Sequence, residues 1–213
     1  MPIEDCERLT DGLLLQPVNA LSSLAFVLVG IGVGAVVSRR VGRQHRGWGF
    51  GVALTLVGLG SVAFHGPGGL PADWAHDASI TVLLFLVIAV ELGDRLRWSS
   101  RQELIVWGTA AAATIGAEAL WPPMADIVNA VLTVSAVVVI VGYRWGLPIA
   151  RTRSGVAIGS VLLVVGALVM VLSRTGGLWC DPDSVLQGHA IWHGLAALGL
   201  GTYAVSVSVV ASG

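Results

Sequence analysis

The chain has 213 residues, 55% of them hydrophobic and 12% charged, with a formal charge of -1 and a mean hydropathy of +0.82. Soluble domains carry about 25% charged residues, so this composition excludes an ordinary soluble protein and reads as an all-α integral membrane protein. A nucleic-acid binder is excluded too, because no concentration of cations faces a phosphate chain; so is a retinal Schiff base, which needs a lysine this sequence lacks.

Residues 1–17 are polar and acidic, without the cationic and apolar regions of a signal peptide. They are expected to be retained as a short extracytoplasmic segment. Uncharged apolar runs follow at 18–37, 48–64, 78–90, 104–117, 127–143, 154–173 and 190–210. Most reach or approach the ~20 residues that cross a hydrocarbon core, which predicts a seven-transmembrane helix bundle forming a single domain over 1–213. All eight prolines fall outside the runs, where no helical hydrogen bond is lost. Trp48, Trp74, Trp98, Trp121, Trp145 and Trp179 lie near run ends, as interfacial tryptophans do.

Ten of the twelve arginines follow the first, third and fifth runs, and ten of the thirteen carboxylates fall on the other side. The positive-inside rule then puts the N-terminus outside and the C-terminus in the cytoplasm. Cys6 and Cys180 both fall in outer segments, where an oxidising compartment permits a disulfide.

His189 and His193, four residues apart at the head of the last run, stack on one helix face. Ser61 and His65 close the second run with the same spacing, and His65 arrives at the same outer level. A lone interfacial histidine is more often a hydrogen-bonding group than a ligand. Three converging from two helices match the three-ligand, open-position pattern of a catalytic zinc, which makes water acidic enough to be a nucleophile near neutral pH. Asp77 opens the third run, where an unpaired carboxylate is costly unless functional, and is assigned the proton-handling role. Asp73 is expected to cap that helix, with the proton-handling role left open to it as well. His76 is read as solvated, with roles as a fourth ligand or as a partner of a ligand left open, and His45 as a solvated loop residue without a partner. The segment 66–71 reads as a tight connector.

Ser61-x-x-x-His65, Asp77 and His189-x-x-x-His193, in that order, resemble the CREST membrane-hydrolase superfamily, which includes the alkaline ceramidases and the progestin/adipoQ receptors. The segments 180–189 and 16–22 look most like the ceramidase-like branch. That resemblance implies zinc on His65, His189 and His193, with Asp77 moving protons and Ser61 binding the attacking water or the developing oxyanion. The substrate implied is a lipid amide such as a ceramide, drawn from the bilayer. Alkaline ceramidases also carry an N-terminal calcium site. Here Glu4, Asp5, Glu7 and Asp11 are the nearby oxygen donors, and Gln16 stands where a Glu is common; calcium, which prefers six to eight oxygens, is left unassigned.

Two rivals stay open: a receptor or lipid-sensing protein with a structural zinc, and a haem-binding electron carrier, against which the clustering of histidines at one end argues. A rhomboid-type serine protease is disfavoured, since Ser61 lacks glycines on both sides. The lysine-free, Ala/Gly/Arg-rich composition points to a bacterial plasma membrane, with the site near its extracytoplasmic face.

Overall fold

The computed structural model describes residues 5–39, 43–144 and 150–209. Each apolar run is the body of a helix. The first is shared by α1 (Pro17–Ser22) and α2 (Leu24–Ser38), which break at Ser23; then come α3 (Gln44–His65), α4 (Leu70–Leu96), α5 (Ser100–Leu120), α6 (Ala125–Arg144), α7 (Ala150–Leu172) and α8 (Gly188–Ser208).

Among the described residues, six helices are long and apolar enough to cross a membrane: Pro17–Ser38 taken as one, α3, α4, Pro122–Gly142, Ser154–Leu172 and α8. The expected fourth span, 104–117, lies in α5, which is not among them. At 1.5 Å per residue its 21 residues reach roughly 31 Å, so length suffices. Its many alanines, together with Arg101, Glu103 and Glu118, dilute its apolarity. Leu28, Val134, Val138, Val161 and Leu168 are more than half exposed. A belt of this kind would be a liability in water and suits hydrocarbon. The chain is an all-α, multi-pass membrane protein.

Helix α3 packs between α2 and α4 and also touches α8; α8 lies against α7 and α2, while α5 and α6 pack on α4. Phe50, Leu54, Val90, Ala197 and Ala204 are fully buried at the centre of this arrangement. Glycine lets two helix pairs approach closely. A Cβ on Gly30 of α2 would lie 2.6 Å from the Gly51 carbonyl of α3, and one on Gly159 of α7 would lie 2.6 Å from that of Gly199 in α8. Such small-residue contacts allow van der Waals packing where lipid removes the hydrophobic drive.

Between α3 and α4 the connector turns on Gly68 and Gly69, at φ +66° and +92°, values that favour glycine. Gly69, and not Asp73 as expected, is the residue before the first turn of α4. Asp73 sits inside that turn, where its charge complements the helix dipole. Pro71 is also within the first turn, contrary to expectation, at a position that forfeits no helical bond.

Because α3 begins at Gln44 and ends at His65, Arg46 and His65 lie at opposite ends of the bundle. At the Arg46 end a charged network is buried. Arg46, 1% exposed, donates to both oxygens of Glu103 at 2.8 and 2.7 Å and to Asp94 at 2.8 Å. His45 joins it 3.1 Å from Glu103, so the expectation of a solvated, partnerless His45 is corrected. Glu103 lies 58 residues further along the chain, and no local pattern announces the pair.

Candidate metal centre

The last turn of α3 and the first two turns of α8 bring three imidazoles together. One ligand atom from each of His65, His189 and His193 lies within 4.8 Å of the others, the one such group of metal-binding side chains among the described residues. Ring centroids are 4.9 Å (65 to 189), 5.4 Å (65 to 193) and 4.5 Å (189 to 193) apart. His65 is 0% and His193 3% exposed.

The surrounding hydrogen bonds assign the tautomers. Gln16, fully buried, donates its Nε2 to the Glu7 carbonyl, so its Oε1 faces His65 Nδ1 at 2.7 Å and accepts from it. Ser22 gives its hydroxyl proton to the Asn19 carbonyl and therefore accepts from His193 Nδ1 at 2.9 Å. In the neutral ring, both histidines thus keep an unprotonated Nε2. For His65 that atom is buried without any partner in the protein. Ser23 likewise donates to the Asn19 carbonyl, which makes it the acceptor from Ser61, 2.8 Å away. Ser61 Oγ sits 3.4 Å from His193 Nε2 with its proton directed to Ser23 and its lone pairs free.

These partners belong to the polypeptide before and within the first span. Cys6 and Cys180 form a disulfide that ties this segment to the loop preceding α8. Next to it Arg8 and Asp183 make an exposed two-pronged ion pair at 2.7 Å. Asp5 Oδ1 lies 3.2 Å from His189 Nδ1, and Oδ2 lies 4.0 Å from His65 Nδ1. The first contact is off the line of a hydrogen bond, so His189 Nδ1 is buried without one. Burial raises the Asp5 carboxyl to about 6. The oxygens of Glu7 accept the Val18 and Asn19 amides at 2.7 and 2.8 Å, capping α1. Of the suggested calcium donors, Asp5 faces His189 without a hydrogen bond, Glu7 accepts two backbone amides, and Glu4 lies outside the described residues.

Asp77 sits apart from the trio. Its carboxylate meets His76 Nδ1 at 3.3 Å, and His76 is itself stacked on Phe64 with centroids 4.8 Å apart. The His76 and His65 rings are 6.5 Å apart. His76 is therefore near both Asp77 and His65, only 21% exposed, and is less solvated than the sequence suggests. One turn along α4, Thr81 contacts Glu118 at 2.8 Å and Asn129 at 2.9 Å, a buried polar patch shared by α4, α5 and α6.

Gln16, Ser22, Ser23 and Asp5 are absent from the catalytic and zinc-ligand sets that sequence reasoning assembles. A signal for three of them exists: Gln16, Asn19, Ser22 and Ser23 place polar groups at three- and four-residue steps on the head of an apolar helix, where such groups are costly without a partner.

No protein-family model matches the chain, and no curated protein matches it. The donor set is thus judged on its own chemistry. Three imidazoles, two of them (His65 and His189) with an orphaned buried nitrogen and two (His65 and His193) held by neighbouring oxygens, form a donor set that fits a metal ion such as zinc, whose sites combine such ligands with oriented second partners.

Proposed function

We propose that the chain is a zinc-dependent intramembrane hydrolase of a lipid amide such as a ceramide, with zinc held by His65, His189 and His193. The observation that carries the reading is the buried trio with its unpartnered His65 Nε2. In this reading α5 is a seventh span. The trio and N-terminus face outward, and the C-terminus lies in the cytoplasm of a bacterial cell.

When bound, zinc supplies Lewis acidity, which activates water near neutral pH and polarises a carbonyl. The rest falls to the chain. Ser61, its proton given to Ser23, accepts a hydrogen bond from the attacking water and so orients it. Asp77, paired with His76, takes a proton from the attacking water and returns it to the leaving amine. An apolar groove of about 390 Å³, lined by Leu59, Gly60, Trp74, Ala78, Val82 and Ile115 of α3, α4 and α5, suits an acyl chain. A lipid receptor with a structural zinc is the second reading, favoured by the pairing of Asp77 with His76 instead of the trio.

The test is fatty-acid release from a panel of ceramides and other lipid amides by zinc-loaded protein and by Asp77→Asn. Release by the wild type, slowed about 10²-fold or more in the variant, is expected. Equal rates would remove Asp77 from the mechanism. No release from any lipid by zinc-loaded wild type would leave the receptor reading.

A further inference from the structure

The three histidines present their Nδ1 atoms to one stretch of chain. His65 meets Gln16 and His193 meets Ser22, each through a formed contact that leaves Nε2 free. His189 Nδ1 is buried, lacks a hydrogen bond, and has the Asp5 carboxylate 3.2 Å away. Asp5 also approaches His65 from its Nδ1 side, the side already taken by Gln16 and turned away from the free Nε2.

The placement of Asp5 is enforced. Its neighbour Cys6 is bonded to Cys180, donates its amide to Thr175 Oγ1, and adopts a positive φ of 55°, unusual for a non-glycine residue. Arg8 donates its amide to the Pro182 carbonyl. The segment is thus pinned to the loop that leads into α8, within reach of the α8 histidines.

Resting on the metal-centre reading, we propose that Asp5 is a positioning residue: clamped by the Cys6–Cys180 disulfide, its carboxylate accepts the Nδ1 proton of His189 and turns the Nε2 of that histidine toward the ion. A small rotation of the carboxylate aligns the existing 3.2 Å contact. The stretch from Asp5 to Ser22 then supplies an orienting oxygen to every ligand, and the disulfide becomes a condition for tight metal retention.

The experiment measures zinc affinity of detergent-purified, oxidised protein by competition with a chromophoric chelator. Asp5→Ala is expected to bind zinc about 10–100-fold more weakly, the usual effect of losing such a partner. Asp5→Asn, whose amide oxygen accepts the same proton, is expected to stay near wild type, and Cys6→Ser to weaken as Asp5→Ala does. A purely structural role for Asp5 would not be rescued by asparagine. Wild-type affinity in Asp5→Ala, or Asp5→Asn as weak as Asp5→Ala, overturns the inference. The metal-centre reading fails separately, if wild type takes up no zinc; if His193→Ala loses zinc and Asp5→Ala keeps it, only the role of Asp5 falls.

Discussion

Arg46 and His65, at the two ends of α3, are both almost wholly buried, and the protein treats them in opposite ways. Arg46 is answered from within: Glu103, Asp94 and the Val90 and Val207 carbonyls all accept from its guanidinium. His65 is answered on one side only, by Gln16, while its Nε2 faces two other imidazoles and no protein partner. A buried polar group without a partner costs about 1–3 kcal/mol. The closed network at one end is therefore a fastening of α3, α4 and α5, and the open one at the other end has the form of a receptacle.

Substitutions at the two ends should separate metal binding from stability. The largest effect belongs to His193→Ala. Zinc per chain, measured by elemental analysis, is expected to fall from near one to near none, while the metal-free protein loses less stability than Glu103→Ala does. Full zinc retention would break the ligand set. Glu103→Ala removes the two-pronged partner of Arg46 and leaves Asp94 and two carbonyls to hold it, so the loss is expected to stay below the about 3–5 kcal/mol of a buried pair deprived of its one partner. Denaturation of the metal-free protein should register that loss with zinc stoichiometry unchanged. A variant that melts like wild type would show that the Arg46 end is no fastening.

Gln16→Met removes the acceptor for His65 Nδ1 at similar volume, and zinc affinity should drop about 10–100-fold, equivalent to roughly 1.4–2.7 kcal/mol. Chelator competition that finds no change would break the tautomer assignment. The smallest effect is expected for Arg8→Ala. Its ion pair with Asp183 is 67% exposed on each side, and such solvated pairs contribute little to stability. A larger loss would place the N-terminal clamp in that pair instead of the disulfide.

The difference between the two ends also explains what could be read from sequence. Helices were legible because lipid demands long apolar runs, and all seven runs lie in helices. His65, His189 and His193 were legible because a helix repeats a face every three to four residues. Pairings across the fold were not. His45 and Arg46 look like loop cations beside three other arginines, and Glu103 gives no sign of reaching them. Asp77 stands out in sequence by its depth in the third run, yet depth says nothing about which way it faces, and its carboxylate meets His76. Asp5 lies in a segment without periodicity, so its approach to His189 depends on where the disulfide takes the chain.

That disulfide joins residues 174 positions apart and has a consequence for biogenesis. His65 is synthesised early and remains an incomplete site until α8, the last described helix, is inserted and docks against α3. Cys6 waits almost as long, because Cys180 lies in the loop just before α8. Covalent closure and assembly of the trio are therefore both late, and a chain interrupted before Cys180 would hold only one of the three histidines and an unpaired Cys6.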